Sequence, residues 1–373
     1  FVTLHRRRQT ANNDFFDLPD DVIWLILRKV DHVSLIRFSM TCKLAKFFVD
    51  ESLLWFPFQT NHFKRLQCPP MTVSSDMISH VGRRVRIQRN WESGHSERIS
   101  VSTKRLQFAM RIDPSRTDSI LTASKNEITE WDMTSMKEIS TLDVASCSDF
   151  HVGRKHIYVS GLDYIRAYNK FTKSKQYEIG GMLSTVHRIA VSPQNIVAAL
   201  WDGNIKVYNV VNGDLQVSIP GHRAPIHTID VRNQIIATGS SDRSIKLWNL
   251  QGALTATLLG HTKTVSSLHG RNNGQFVSAS RDGTVKLWNT ERASCVSDFV
   301  SHSEAVNTVR WRGEQSFVSG GDDKQILIWD SRDSKPVHTL EHNSKVVSLD
   351  LDERRIVACG MDKTFVAWDY CML

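Results

Sequence analysis

A short phrase recurs along this chain at a nearly constant spacing. Residues 237–249 read ATGSSDRSIKLWN, and residues 278–289 read SASRDGTVKLWN. Related segments stand at 122–132, 160–169, 198–209, 319–330 and 358–369. Their closing aromatic residues follow one another at intervals of 37, 40, 40, 40, 41 and 39 residues, at Trp131, Tyr168, Tyr208, Trp248, Trp288, Trp329 and Trp368. Seven copies at one period predict a repeat architecture, in which each unit buries its apolar surface against the next.

Each copy has the features of short antiparallel strands. Apolar and polar side chains alternate in runs such as Ile245-Lys246-Leu247-Trp248, as a half-buried strand requires. Asp242-Arg243-Ser244, just before that run, is typical of a tight turn, because the Asp carboxylate caps backbone N–H groups. We therefore expect a mainly β fold with four strands in each copy. Only four residues follow Asp369, too few for an outer strand, so Arg98-Ile99-Ser100-Val101 is predicted to supply that strand and close the array.

Four polar residues recur in register in the last four copies. A hydroxyl stands six residues after a His, and an Asp stands twenty or twenty-one residues after it. The sets are His222, Thr228, Asp242 and Trp248; His261, Ser267, Asp282 and Trp288; His302, Thr308, Asp323 and Trp329; and His342, Ser348, Asp362 and Trp368. A single set of this kind could form a catalytic triad, but a triad occurs once in a protein. Four sets indicate a structural network, in which His donates to Asp and the hydroxyl links the imidazole to the indole N–H.

This pattern resembles that of the WD-repeat family. The resemblance implies a seven-bladed β-propeller over residues 93–373. The first three copies depart from the pattern. Lys125 stands at the acid position of the first copy, and Met182 and Arg188 stand at the histidine and hydroxyl positions of the third.

The apolar periodicity changes in residues 14–56. Leu18-Pro19 followed by Asp20-Asp21 predicts a helix start, because Pro is tolerated in a first turn and the acids oppose the positive end of the helix. The apolar stripe of this helix consists of Val22, Ile23, Ile26, Leu27 and Val30. Two more short helices are predicted after it. So small a helical segment is hard to stabilise alone, and we expect a partner to cover one apolar face.

Residues 14–56 resemble an F-box. The positions that match the family are Leu18, Pro19, Leu35, Cys42 and the closing Trp55. The segment departs at Thr41 and Ala45, where the family commonly has Val and an aromatic residue. A helical hairpin of another kind would show the same periodicity, but an F-box followed by WD repeats is the order found in F-box/WD-repeat proteins. Residues 1–13 are then a basic tail and residues 57–92 a linker.

The family resemblance implies a function in ubiquitin transfer. Its members are substrate-recognition subunits of SCF-type cullin–RING ubiquitin ligases, in which the F-box docks on a Skp-type adaptor and the propeller holds a protein substrate. The implied adaptor-binding residues are Leu18, Pro19, Leu27, Leu35, Cys42 and Trp55, of which we expect Leu18, Pro19 and Leu27 to contact the adaptor. On this interpretation the chain is a non-catalytic subunit and needs no cofactor or metal.

One rim of the propeller is the predicted substrate-binding surface, because the Asp turn and the His of each repeat must meet there. We predict that Arg281, His227, Ser241, Arg243, His187 and Trp201 bind the substrate. A guanidinium binds phosphate in a bidentate manner, so Arg281, with His187 and His227 as helpers, favours a phosphorylated substrate. The alternative is that Arg281 is merely solvated, and Asp322 would repel phosphate locally.

Two other functions fit parts of the sequence. A WD-repeat scaffold that assembles a complex without ubiquitin transfer is the alternative, favoured by Ala45. Nucleic-acid binding is less favoured. It would use the basic stretch GRRVRIQRN at 82–90, which carries much of the net charge of +8, and its affinity would fall steeply with salt. We expect no enzyme activity, since the chain has no phosphate-binding Gly loop, metal-ligand cluster or unique nucleophile with a base.

The remaining sequence features bear on the compartment. No apolar run is long enough to cross a bilayer, so we expect no membrane partner. The opening FVTLHRRRQTANND has no long apolar core, and no secretory signal is expected. Six widely separated cysteines favour reduced thiols over disulfides. These features together predict a protein of the cytoplasm, the nucleus or both.

Overall fold

The computed structural model describes residues 87, 90, 91, 93–114, 118–271 and 273–370. The chain divides into two compact units, one made of Phe1–Ser96 with Tyr370–Leu373 and the other of Glu97–Asp369. In the described part of the first unit, the Trp91 ring stacks on that of Tyr370 at a centroid distance of 4.0 Å. The side-chain amide of Asn90 donates a hydrogen bond to the Tyr370 carbonyl over 2.7 Å. These contacts join residues about 280 positions apart in sequence.

The second unit consists of twenty-eight β-strands. The first fourteen are β1 Glu97–Ser102, β2 Ala109–Ile112, β3 Ser119–Ala123, β4 Glu127–Asp132, β5 Lys137–Asp143, β6 Asp149–Val152, β7 His156–Ser160, β8 Ile165–Asn169, β9 Lys175–Ile179, β10 Val186–Val191, β11 Asn195–Leu200, β12 Ile205–Asn209, β13 Leu215–Ile219 and β14 Ile226–Arg232. The others are β15 Ile235–Ser240, β16 Ile245–Asn249, β17 Leu254–Leu258, β18 Val265–Gly270, β19 Gln275–Ser280, β20 Thr284–Asn289, β21 Ser294–Val300, β22 Val306–Arg312, β23 Ser316–Gly321, β24 Gln325–Asp330, β25 Pro336–Glu341, β26 Val346–Leu351, β27 Arg355–Gly360 and β28 Thr364–Asp369.

The strands form seven four-stranded antiparallel sheets, which are the blades of a β-propeller. Blades 1 to 6 each contain four consecutive strands, from β2–β5 in blade 1 to β22–β25 in blade 6. Blade 7 contains β26, β27 and β28 and takes its outer strand from β1. The predicted fold class, a mainly β protein with a seven-bladed propeller, is confirmed.

Strand β1 closes the ring by pairing with the last strand of the unit. Its register places Ile99 opposite Ala367 and Val101 opposite Phe365 in an antiparallel ladder with β28. The predicted donor of the outer strand, residues 98–101, lies within β1. Closure of this kind pairs the edge that β28 would otherwise expose and brings both ends of the unit into one blade.

The apolar core lies between neighbouring blades. One cluster joins Leu247 of blade 4 to Val265 and Trp288 of blade 5, and another joins Phe299 of blade 5 to Phe317 and Trp329 of blade 6. Because each sheet is covered on both faces, the second strand of a blade is buried along nearly its whole length rather than at alternate positions. The strand β11, NIVAAL, is buried at every position for this reason.

Candidate functional site

The upper face of the propeller is the end formed by two sets of loops. One set precedes the first strand of each blade, and the other joins the second strand to the third. Antiparallel pairing brings both to the same end, and backbone hydrogen bonds join them. Ser241 N donates to Pro225 O over 3.0 Å in blade 4, and Arg281 N donates to Thr264 O over 3.0 Å in blade 5. The predicted substrate-binding residues all lie on or next to these loops.

A hydrogen-bond network anchors the upper face in blades 4, 5 and 6. In blade 4, His222 Nδ1 lies 2.8 Å from Asp242 Oδ2, and His222 Nε2 lies 2.8 Å from Thr238 Oγ1. The indole of Trp248 donates to the same Thr238 hydroxyl over 3.1 Å. The equivalent groups are His261, Asp282, Ser278 and Trp288 in blade 5 and His302, Asp323, Ser319 and Trp329 in blade 6. The repetition of one geometry in three blades is that of a structural network.

The hydroxyl of this network is not the one that the repeat spacing predicted. Thr228, Ser267, Thr308 and Ser348 were expected to link His to Trp, and this was wrong, because those residues lie on the innermost strands. There Ser267 Oγ accepts a hydrogen bond from Val309 N of the next blade over 3.3 Å, and Ser348 Oγ accepts one from Met110 N over 3.3 Å. The linking hydroxyl comes ten residues before the Trp, and that constant offset was a signal in the sequence.

The carboxylates of the network are held in their ionised form. Burial raises the pKa of Asp242, but hydrogen bonds from Ser244 and His222 outweigh it and bring the pKa below its ordinary value. Burial also raises the pKa of Asp282, and hydrogen bonds from His261 and Thr284 lower it further than burial raises it. These acids are saturated with donors near neutral pH. None of them is placed to act as a free general base.

Blade 7 lacks the complete network. His342 Nδ1 accepts a hydrogen bond from Ser344 N over 3.1 Å instead of contacting the Asp362 carboxylate. Asp362 is bonded to Thr364, whose hydroxyl lies 2.7 Å from Oδ1. Within the described residues, the buried Nε2 of His342 has no hydrogen-bond partner. The network predicted for this blade is therefore wrong. The hydroxyl that would link His342 to Trp368 is absent, because Ala358 stands ten residues before Trp368.

Three of the predicted substrate-binding residues form a ring cluster on blades 3 and 4. The His187 ring lies 5.0 Å from Trp201 and 5.2 Å from His227, in each case edge to face. The rings of Trp201 and His227 are 5.9 Å apart. Ser241 joins the cluster through its hydroxyl, 2.7 Å from His227 Nε2. Four of the six predicted residues are thus brought together.

The two imidazoles of this cluster are uncharged near neutral pH. Burial, with the neighbouring Arg188 guanidinium, lowers the pKa of His187 to about 3. Burial and the same guanidinium lower the pKa of His227 to about 4. Neither ring supplies positive charge to a phosphate at pH 7. The cluster therefore presents a largely apolar, aromatic surface rather than a cationic one.

The other two predicted residues, Arg281 and Arg243, are exposed cations on the loops of blades 5 and 4. Arg243 occupies the left-handed region of backbone conformation, with φ of 70°, at the tip of its turn. Arg281 lies close enough to lower the pKa of both His227 and Asp322 by its charge. Asp322 itself is held by Lys345 Nζ at 2.8 Å and by the Asn307 amide at 2.7 Å. The acid expected to oppose phosphate is thus already paired with a cation.

Other predictions fall outside the described residues or find no counterpart within them. Leu18, Pro19, Leu27, Leu35, Cys42 and Trp55 precede the described part of the chain. Of the basic stretch 82–90, only residues 87 and 90 are described. In the described ranges no three His, Cys, Asp or Glu side chains converge as metal ligands. No helix in that part of the chain has the length and apolar character needed to cross a membrane.

Comparison with protein families identifies two kinds of domain in the chain. The model of the F-box domain matches residues 15–57. The model of the WD domain, G-beta repeat, matches residues 213–249, 252–289, 293–330 and 334–369. Each matched repeat begins with the outer strand of one blade and ends with the third strand of the next, as in 213–249, which spans β13 to β16. No curated protein sequence matches the chain.

Proposed function

Because the chain is an F-box/WD-repeat protein, we propose that it is the substrate-recognition subunit of an SCF-type cullin–RING ubiquitin ligase. Its F-box binds a Skp-type adaptor, and the upper face of its propeller binds a protein client. The observation that carries the proposal is the presence of both modules on one chain, an F-box at 15–57 and a closed seven-bladed ring after it. This role belongs to the cytoplasm, the nucleus or both.

The proposed role is a physical bridge without chemistry of its own. A client held on the propeller has its lysines at a high effective concentration near the ubiquitin-conjugating enzyme of the ligase. The bridge needs two independent binding surfaces. The F-box and the WD repeats lie in separate segments of the chain, which supports this role. The His–Asp–hydroxyl sets serve the fold of the propeller and not the reaction, because their groups are engaged with one another.

The F-box residues that we propose to contact the adaptor are Leu18, Pro19 and Leu27. Leu35, Cys42 and Trp55 complete the apolar positions shared with the family. A pull-down of the full chain with a purified Skp-type adaptor tests this part directly. Leu18→Asp with Pro19→Ala should abolish the complex, whereas Thr10→Asp, in the basic tail, should leave it unchanged. Failure of the unaltered chain to bind the adaptor at micromolar concentration would remove the ligase assignment.

The client is proposed to bind through the ring cluster of His187, Trp201 and His227 and through the cations Arg243 and Arg281. Whether it carries phosphate is open to a direct test with Arg281→Glu. If phosphate recognition is required, this change should lower client capture by about tenfold or more, because a bidentate guanidinium–phosphate pair becomes a repulsive pair. If capture is the same before and after phosphatase treatment of the client, and the same for Arg281→Glu as for the unaltered chain, then this surface does not recognise phosphate.

A scaffold without ubiquitin transfer is the second candidate, and the departure at Ala45 from the aromatic residue of the family favours it. Reconstitution with adaptor, cullin–RING core and conjugating enzyme separates the two. Ubiquitination of a captured client that depends on the F-box supports the ligase role. A client that is captured, but never modified even with all ligase components present, supports the scaffold.

A further inference from the structure

The innermost strand of each blade faces the central channel of the propeller, and these strands are rich in charged residues. They are β2, β6, β10, β14, β18, β22 and β26, which neighbour one another around the ring. Together they carry five arginines and three aspartates, namely Arg111, Arg188, Arg232, Arg310, Arg312, Asp149, Asp230 and Asp350. We call these eight residues the channel belt.

His269 of β18 lies within the channel belt and has a defined tautomer. Trp311 N of blade 6 donates a hydrogen bond to His269 Nδ1 over 3.1 Å. Burial lowers the pKa of His269 to about 3, so the ring is neutral near pH 7. Because Nδ1 is an acceptor, the proton of the neutral ring lies on Nε2. His269 Nε2 is therefore a hydrogen-bond donor.

The group that faces this N–H is a second donor. Arg232 Nη2 of blade 4 lies 3.3 Å from His269 Nε2, and a guanidinium has no acceptor atom. Among the described residues, no side chain or backbone carbonyl accepts a hydrogen bond from His269 Nε2. Buried donors are costly unless they are satisfied. One acceptor that bridges the two N–H groups would satisfy both.

The carboxylates of the channel belt are not available as that acceptor, because each already has its own partners. Asp230 Oδ2 lies 3.3 Å from Arg232 Nε and accepts a hydrogen bond from Gly270 N over 2.6 Å. Two further acids are held in the same way, each by one guanidinium and one backbone N–H of the next blade: Asp149 by Arg111 and Ile189 N, and Asp350 by Arg310 and Ile112 N. One arginine is thus matched to each acid.

The other two arginines of the channel belt contact backbone carbonyls. Arg188 Nη1 donates to His187 O over 3.0 Å and to Ser148 O over 3.3 Å, and in the described part of the chain it forms no ion pair with a carboxylate. Arg312 lies at the end of β22 and extends to Glu353 O of blade 7 over 3.4 Å. Even with Arg312 set aside, the channel belt has one more guanidinium than it has carboxylates.

Positive charge from three blades acts on His269. Asp230 opposes the lowering of its pKa by burial, whereas the charges of Arg310, Arg232 and Arg111 add to it. These guanidiniums belong to blades 6, 4 and 1, so side chains from different sides of the ring come together at this imidazole. The surroundings of the two facing donors therefore favour an acceptor with negative charge.

From this geometry we propose that the central channel binds one monovalent inorganic anion, chloride, which accepts hydrogen bonds from Arg232 Nη2 and His269 Nε2. Its single charge equals the surplus of the channel belt. Sulfate and phosphate are disfavoured, because Asp230 lies beside Arg232 and would repel a second negative charge. The site lies within the propeller and is independent of the proposed ligase role.

Urea denaturation of the full chain near pH 7 tests the proposal, with sodium chloride exchanged for sodium gluconate at constant ionic strength. Above the dissociation constant of the site, each tenfold increase in chloride should raise the free energy of unfolding by about 1.4 kcal/mol, because the anion binds only the folded protein. The midpoint should rise accordingly, and bromide should act as chloride does.

Arg232→Gln should remove this chloride response, because it deletes the charged donor. The control is Arg292→Gln, which changes an exposed arginine in the loop between β20 and β21 and should keep the full response. The comparison concerns the dependence on chloride and not the stability in gluconate, so a general destabilisation by Arg232→Gln does not imitate the expected result.

Bromide locates the site without any substitution. Anomalous diffraction from crystals of the full chain grown in bromide should show a peak between Arg232 Nη2 and His269 Nε2. Three outcomes would overturn the inference: a chloride response that is absent or equal in the unaltered chain and Arg232→Gln, a water molecule at this position in the bromide crystals, and a phosphate response that depends on Arg232 and exceeds that of chloride.

Discussion

The amide nitrogen of Ser344 donates a hydrogen bond to Nδ1 of His342 over 3.1 Å, and this contact determines which nitrogen of the imidazole carries the proton. With Nδ1 acting as an acceptor, the proton of the neutral ring lies on Nε2. That N–H is buried and has no acceptor among the described residues. In blades 4, 5 and 6 the equivalent nitrogen lies against a hydroxyl, at distances of 2.7 to 2.8 Å.

Ala358→Ser should stabilise the protein. The new hydroxyl would occupy the position of Thr238, Ser278 and Ser319 in the complete blades and accept the His342 Nε2–H bond. A satisfied buried hydrogen bond contributes about 1 kcal/mol to the free energy of unfolding. Urea denaturation should show a higher midpoint with an unchanged slope.

The matched control for this change is Ser319→Ala, which removes the same hydroxyl from blade 6. It leaves His302 Nε2 and the Trp329 indole without their shared partner, and we expect a loss of about 1–3 kcal/mol. If Ala358→Ser fails to raise the midpoint while Ser319→Ala lowers it, the hydroxyl position in blade 7 is not equivalent to that in blade 6.

Lys170→Met should be strongly destabilising. Lys170 and Asp113 form an ion pair between blades 2 and 1, with side chains that are only 3% and 0% exposed. Removal of Lys170 takes away one partner of a buried ion pair, which costs about 3–5 kcal/mol. The double change Lys170→Met with Asp113→Leu should recover most of that loss, since no buried charge remains. Equal instability of the single and double variants in urea would show that packing rather than charge dominates at this position.

Val101→Asp should weaken ring closure. Val101 packs against the apolar cluster of Met110, Phe365 and Ala367, whereas its neighbour Ser100 is exposed. An ionised carboxylate at position 101 would lose apolar burial and be partly desolvated, and we expect a loss of about 2–4 kcal/mol. Ser100→Asp, which points away from the core on the same strand, should change stability by less than about 0.5 kcal/mol. Native-state hydrogen exchange should show the effect of Val101→Asp first in β1 and β28. Uniform loss of protection across all seven blades would contradict a local opening of blade 7.

Acid should destabilise the protein well before its carboxylates titrate. Burial lowers the pKa of His151 and His227 to about 4 and that of His187 and His269 to about 3, from an ordinary value of 6.5. As the pH falls, these histidines are therefore protonated in the unfolded chain before they are protonated in the folded protein. The free energy of unfolding is highest above about pH 6.5. It falls progressively as the pH drops from there to the folded pKa values, with a slope of up to about 1.4 kcal/mol per pH unit for each histidine.

Urea midpoints measured between pH 7 and pH 4 should follow that decline, and His187→Gln should reduce its steepness. His95→Gln is the control, because His95 is exposed. A free energy of unfolding that stays constant down to pH 4 would show that these imidazoles are accessible to protons in the folded state.

The sequence alone determined the number of blades, the position of the closing strand and the order of the two domain types. These features rest on local signals. Alternation along Ile245–Asn249, the Asp turn before it and the nearly constant interval between the closing aromatic residues can each be recognised without knowing which strands pair. The helical period of 14–56 and its match to an F-box domain are of the same kind.

Only the tertiary structure decided how polar and charged groups are used. The spacing of Thr228 from His222 is as regular as that of Thr238 from Trp248, but strand order places Thr238 between the two rings and Thr228 on the innermost strand β14. The neutral state of His187 and His227 follows from desolvation by neighbouring blades, and the pairing of Asp322 with Lys345 follows from loops that meet across a blade boundary. Solvation and pairing depend on distances between segments far apart in the chain, and a repeat pattern does not contain those distances.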